Sequence, residues 1–249
     1  MRVGSYLICA TPRSGSTLLC GLLRSTGAAG RPESYFRRPD EQAWADQWHL
    51  PRNAAGHFDY RDYVRAARAQ GTTANGVFGA RVMWPTVEDI VARLRAARPE
   101  CSGTDHDVLS HAFGPVRYVH LRRTDTVAQA VSWARAEQTG YWHPGDGFPA
   151  SAPEPQFDFR EIRSFVEQID AHTAAWTRWF ATTGVRPYVV RYEEMVADMT
   201  GVTREILRCL GIESPADQII SAGAQRQAGE LNRDWISRYR AIAPDAAMR

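Results

Sequence analysis

The chain contains no lysine: all 30 of its basic residues are arginine, set against 28 acids for a formal net charge of +2. Guanidinium is a planar fork of donors that cannot be deprotonated to act as a base, so any anion site here is built from arginine forks suited to phosphate or sulfate. Nor is there a surplus of one charge, and a broad nucleic-acid-binding face is not indicated. Cysteine is scarce. Cys9, Cys20, Cys101 and Cys209 show no close pairing and no metal-ligand spacing among 249 residues, which suits packing residues in a reducing compartment and implies neither a disulfide framework nor a zinc site. Long apolar runs are absent too, since none approaches the about 20 residues of a membrane helix. The run at 6–10 is cut off by Pro12 and Arg13 before it could form a signal-peptide core. A soluble, cytoplasmic chain is expected. With 44% hydrophobic and 23% charged residues and no internal repeat, it reads as one globular domain over 1–249.

Strands and helices alternate in the pattern. Residues 5–10 read as a buried strand, followed by the loop Thr11-Pro12-Arg13-Ser14-Gly15 and an apolar helix over 16–26 in which Leu18, Leu19, Leu22 and Leu23 recur at helical spacing as core residues. Helices are expected at 59–70 and 85–97 and strands at 77–83 and 116–121, with 99–107 as loop. Asp125 caps the next helix. Residues 140–158 hold three glycines and four prolines without periodicity and read as a long loop, the kind that commonly forms lids or binding segments. A strong helix then carries Trp176, Trp179 and Phe180 as core, a strand occupies 187–191, and a basic, glycine-containing loop lies near 225–233. Alternation of this kind predicts an α/β fold with a central parallel sheet covered by helices on both faces.

Two junctions carry chemistry. Thr11 to Thr17 lies where a strand ends and a helix begins, so helix N–H groups and the positive end of the helix dipole face outward. Gly15 permits close backbone approach, Ser14, Ser16 and Thr17 add hydroxyls, and Arg13 adds charge. It is not a Walker A loop, which requires lysine. The second junction is Arg122-Arg123-Thr124-Asp125, with Gln129 and Ser132 on the following turns. Taken singly, each reads first as a capped turn or a solvated arginine pair. Two of them in one chain, about 110 residues apart, suit a nucleotide with phosphates at both ends of its ribose.

The segment YLICATPRSGSTLL resembles the 5'-phosphosulfate loop of sulfotransferases, VRYVHLRRTDTVAQAVSW their 3'-phosphate motif, and VVRYEEMV the strand and acidic tail that follow. More narrowly, STGAAGRPESYF, NGVFGARVMW, QAVSWARAEQTGYWH and RQAGELNRDWISRYR are similar to segments of the bacterial trehalose 2-sulfotransferase family, so the likeness runs along nearly the whole chain. Many sulfotransferases carry lysine where this chain has Arg13. The resemblance implies a P-loop-like sulfotransferase fold and 3'-phosphoadenosine 5'-phosphosulfate (PAPS) as cofactor, with adenosine 3',5'-bisphosphate (PAP) as product. It places Arg13, Ser14, Gly15, Ser16 and Thr17 at the 5' end of the nucleotide, Arg122 or Arg123 with Ser132 at the 3'-phosphate, and Arg226 and Arg233 as closing residues. It also implies a general base at Glu33 or its neighbour position Ser34. By residue type alone His57, His111, His120 and His143 are rivals, His120 reading first as a satisfied strand histidine.

The acceptor implied is a carbohydrate or glycolipid hydroxyl, trehalose first among them. Tyr35, Trp84, Arg135, Glu137, Gln138, Tyr141 and Trp142 are the candidates to bind it, because a sugar offers hydroxyls on one edge and C–H faces on another. The expected chemistry is in-line sulfuryl transfer with no metal, and the resemblance implies a homodimer. Two other readings stay open: a P-loop-like nucleotide kinase, which the missing lysine disfavours, and a non-enzymatic arginine-rich polyanion-binding protein.

Overall fold

The computed structural model describes residues 4–142, 154–213, 219–221 and 229–246. Its elements follow in the order β1 (Ser5–Ala10), α1 (Ser16–Ser25), a 3-10 turn (Arg38–Asp40), α2 (Glu41–Gln47), α3 (Tyr60–Gly71), β2 (Phe78–Met83), α4 (Thr86–Ala97), α5 (Asp105–Phe113), β3 (Val116–Arg122), α6 (Thr126–Thr139), α7 (Phe159–Thr183), β4 (Tyr188–Arg191), α8 (Tyr192–Ala197), α9 (Met199–Leu210) and α10 (Glu230–Ala246). The four strands form one parallel sheet in the order β2-β1-β3-β4, and helices cover both its faces as the alternation predicts.

Side-chain alternation along the strands divides the core. Leu7 and Cys9, with Phe78, Ala80, Val82 and Tyr118, face α3, α4, α5 and α7. Tyr6, Ile8 and Ala10 point the other way, onto Leu19, Leu22 and Leu23 of α1 and Ile206, Leu207 and Leu210 of α9. A third cluster joins α6, α7 and α10 around Trp133, Ile162 and Trp235. The longest helix, α7, reaches from the third cluster to the first, and the indole N–H of its buried Trp176 donates to the carbonyl of Ala10 at 3.0 Å. Burial of Trp176, Trp179 and Phe180 agrees with their helical spacing.

Two helices stand where the sequence pattern predicts none. The seven residues of α2 are too few for periodicity to register, and the helix is held by packing. α5 occupies the end of the expected loop 99–107 and beyond because Thr104 and Asp107 form a capping box. The expected loop near 225–233 yields to α10 from Glu230, so Arg233 is helical. Of the expected loop 140–158, residues 143–153 lie outside the described residues. Among the described residues no helix is long and apolar enough to cross a membrane.

The carboxyl ends of all four strands lie at one edge, with Ala10 opposite Met83 and Arg122 opposite Arg191. Chain order reverses between β1 and β3. Ligands of open α/β sheets bind at such a switch point, outside the carboxyl ends, and both arginine-bearing junctions emerge there.

Candidate active site

A cleft of about 1150 Å³ opens at that edge, lined among others by Arg13, Gly15, Ser16, Thr17, Glu33 and Ser34. Its floor is the β1–α1 loop. Arg13 has φ 59° and Gly15 φ 93°, both in the left-handed region that favours glycine. A Cβ on Gly15 would stand 2.4 Å from Cδ2 of Tyr192, so only glycine lets the loop lie this close to α8. No side chain caps the start of α1, which leaves its first amides facing the cleft. Among the described residues the buried Ser14 hydroxyl has no hydrogen-bond partner.

The two arginine junctions meet in space. Arg13 Nε donates to Ser132 Oγ at 3.0 Å, across 119 residues, and its terminal nitrogen to the Trp142 carbonyl at 2.7 Å. Arg123 donates to the Arg13 carbonyl at 3.4 Å, with its guanidinium 4.6 Å from the Tyr192 ring centre. Gln129 ties the loop from beneath, donating to Thr11 Oγ1 at 2.8 Å and to the Pro12 carbonyl at 2.5 Å. Burial first, then the like charges of Arg123 and Arg135, holds Arg13 below the usual arginine value. Such a crowding of guanidinium is relieved by an anion.

The second junction differs from expectation in one respect. The amides of Thr124 and Asp125 already bond the Glu193 carboxylate at 3.1 and 3.5 Å, and Asp125 caps Ala128 at 3.0 Å. The start of α6 is therefore closed to an outside anion, and what remains is the Arg123 side chain with the Ser132 hydroxyl. Both line the cleft, whereas Arg122 ends β3 exposed and does not.

Glu33 reaches the cleft because the segment after α1 runs along β2. The Arg81 amide donates to the Glu33 carbonyl at 2.9 Å. Gly30, at φ 69°, approaches so closely that a Cβ there would lie 2.6 Å from the Gly79 nitrogen. The Glu33 carboxylate accepts from Arg24 at 2.9 Å, from Arg81 at 3.3 Å and from the Ser34 amide at 2.9 Å. Arg81 was invisible as a site residue in the pattern, where it reads as one polar position in a strand. The structure puts it in the cleft wall with a side chain 9% exposed.

Several expected residues lie elsewhere. Tyr35 is buried at 4% exposure among Trp44, Trp48 and Phe78, and the Trp84 ring packs on Trp176. Neither lines the cleft, because the turn at 35–36 sends both Tyr35 and Phe36 into the aromatic core. Trp142 and Glu137 do line it, Glu137 accepting from the Trp133 indole at 2.9 Å. Arg135 bonds Asn232 of α10, while Gln138 is engaged by Gln156 and Glu161 outside the cleft. Tyr141 is half-buried beside Trp142 and is not a lining residue. Arg233 is exposed beside Glu230, and Arg226 and His143 fall outside the described residues. His57, His111 and His120 do not line the cleft, His120 being buried against Trp176 and Phe180. Leu18, expected as core, packs partly buried against the second cluster and also lines the cleft. Further lining comes from the 3-10 turn with its preceding residue and from α2, through Arg37, Asp40, Trp44 and Gln47. Although the cysteine spacing suggests no metal, the fold gathers Glu100, Cys101 and His111 with ligand atoms within 4.8 Å. None of the three lines the cleft.

Comparison with known proteins agrees with this geometry. Residues 5–242 match the family model described as Stf0 sulphotransferase. The chain is 31% identical to the trehalose 2-sulfotransferase of Mycobacterium tuberculosis, over 97% of this chain and 96% of the relative. It is also 31% identical to the trehalose 2-sulfotransferase of Mycolicibacterium smegmatis, over 95% and 94%. The crystal structure of a sulfotransferase from Alicyclobacillus acidocaldarius superposes with a TM-score of 0.51 at 15% identity, covering 99% of this chain and 94% of that one, which shows a shared fold. With an arginine-walled cleft at the switch point of that fold and a family match along nearly its whole length, the chain belongs to the Stf0 sulphotransferase family and is a sulfotransferase.

Proposed function

We propose that the protein transfers the sulfuryl group of PAPS to a hydroxyl of a carbohydrate, with trehalose or a trehalose-containing glycolipid as the first acceptors to examine. The observation that carries the reading is the meeting of Arg13, Arg123 and the uncapped start of α1 in one cleft with a carboxylate, Glu33, on its wall. The names of the two mycobacterial relatives support the acceptor class.

The residues present fit the donor. The loop offers a buried Ser14 hydroxyl with no hydrogen-bond partner among the described residues, a glycine at the point of closest approach, and a helix start with no side-chain cap, a donor set suited to an anion. Arg13, Ser14, Gly15, Ser16 and Thr17 would hold its 5' end, and Arg123 with Ser132 its 3'-phosphate. When bound, the donor supplies an activated sulfuryl group. Arg13 and the loop amides then hold the negative charge that gathers on the departing bisphosphate, fixed in place before reaction so that little reorganisation is needed. Glu33 accepts the proton of the attacking hydroxyl at a carboxylate oxygen, a contribution on the order of a hundredfold or more. Trp142, Glu137, Arg37, Asp40, Trp44 and Gln47 of the cleft lining would receive the acceptor, mixing ring faces with hydrogen-bonding groups as sugar recognition requires.

Calorimetric titration with PAP beside AMP and ATP tests the donor site. Clear preference for PAP is expected, and equal weak binding of all three overturns the reading. Glu33→Gln is expected to bind PAP normally while turnover falls about a hundredfold or more; near-normal turnover removes Glu33 as the base. Supported by the family likeness, the reading extends to a cytoplasmic homodimer, checked by light scattering at several protein concentrations.

A further inference from the structure

We infer that Arg81 is a positioning residue for the sulfuryl transfer, working through Glu33 by locking the base-bearing segment to the donor loop. The inference rests on the function proposed above and assigns a role to a residue that its sequence pattern leaves unmarked.

The geometry is that of a four-way junction. From the carboxyl half of β2, the Arg81 side chain donates through Nε to Ser34 Oγ at 2.8 Å and through one terminal nitrogen to Glu33 Oε1 at 3.3 Å. The other terminal nitrogen donates to Thr17 Oγ1 at 2.8 Å and more weakly to Ser16 Oγ at 3.5 Å. Two of these partners belong to the loop and first turn of α1, and two to the segment after that helix. The backbone adds a further tie, through the Arg81 amide on the Glu33 carbonyl. With a side chain only 9% exposed, the guanidinium has little freedom to leave these contacts. A planar fork serves all four partners at once, which a single ammonium cannot do.

The consequence is mechanical. Glu33 sits on a loop, and Arg24, its other cationic partner, has a side chain 41% exposed, so that pair is solvent-screened and weakly orienting. Arg81 is therefore the rigid partner that fixes the carboxylate relative to the Thr17 end of the donor loop. A base displaced by about 1 Å costs on the order of a hundredfold in rate.

The test is a double-mutant cycle on the full-length protein, with Arg81→Gln, Glu33→Gln and both together, read as kcat and KM for trehalose and as affinity for PAP. Expected for Arg81→Gln is a fall in kcat of about a hundredfold with PAP affinity within about threefold. The double variant is expected to be no slower than Glu33→Gln alone, since a residue that acts through Glu33 has nothing left to position. Arg81→Lys should recover less than about a tenth of the rate, and free guanidinium ion should partly rescue Arg81→Ala, which a misfolded variant would not allow. Losses that multiply in the double variant overturn the inference, as does an Arg81→Gln enzyme of normal kcat. If Arg81→Gln does not fold, Arg81→Lys replaces it in the cycle under the same criteria. Absence of sulfuryl transfer by the wild type, by contrast, overturns the proposed function itself.

Discussion

Gly15→Ala is the most direct perturbation of the donor loop, and the structure sets its size. At φ 93° an alanine occupies left-handed backbone space, at a cost of about 1–2 kcal/mol. Its methyl group would stand 2.4 and 2.8 Å from Cδ2 and Cε2 of Tyr192. Those are ring atoms of a half-buried side chain with Arg123 on its face at 4.6 Å, so relief requires moving the ring or the loop. Overpacking of that kind adds about 1–3 kcal/mol. A total near 3 kcal/mol is expected, which for a chain of this size lowers the melting temperature by roughly 6–12 °C. The displaced parts are the loop and the Tyr192–Arg123 pair, so PAP affinity should fall by more than tenfold as well. Thermal melting with and without PAP, together with calorimetric titration, reads both effects. A Gly15→Ala protein that melts within about 1 °C of wild type and binds PAP equally well would show that the loop does not have the conformation described.

Arg13→Lys keeps the same left-handed backbone strain, so any effect belongs to the side chain. Loss of the fork that spans Ser132 and the Trp142 carbonyl should weaken PAP binding by about 10–100-fold with little change in melting; unchanged affinity by calorimetry removes Arg13 from the site. Burial first, and the nearby charge of Arg122 second, pushes His120 down to about 4. Its folded value lies below its unfolded value, so its contribution to stability is complete above about pH 6.5 and is lost as pH falls toward 4. Denaturant unfolding at pH 7.5 and 4.5 should show a loss about 2–3 kcal/mol smaller for His120→Leu than for wild type, and identical pH dependences would refute the assignment.

The local pattern alone determined much of this molecule. Unbroken burial of β1, the glycine-bearing loop behind it and the leucine spacing of α1 are properties of neighbouring residues, and the corresponding expectations hold to within a residue. Trp176, Trp179 and Phe180 were legible as core for the same reason: three- and four-residue spacing has one meaning on a long helix. The family likeness was legible because its motifs are contiguous in the chain.

What only tertiary structure decided involves partners far apart in sequence. Arg122 and Arg123 are equivalent as letters, and the end of β3 exposes one while turning the other into the cleft. The start of α6 has the sequence of an anion cradle, and Glu193, 69 residues on, closes it by accepting from the amide of Thr124. Tyr35 and Ser34 are neighbours, yet one belongs to the aromatic core and the other to the cleft wall. Arg81 depends most on the fold, since its four side-chain contacts are 47 to 65 residues away and no local period encodes them. Local preference fixes which elements form. The register of a parallel sheet, set by packing across both its faces, fixes which of their ends meet, and the chemistry of this protein lies where they do.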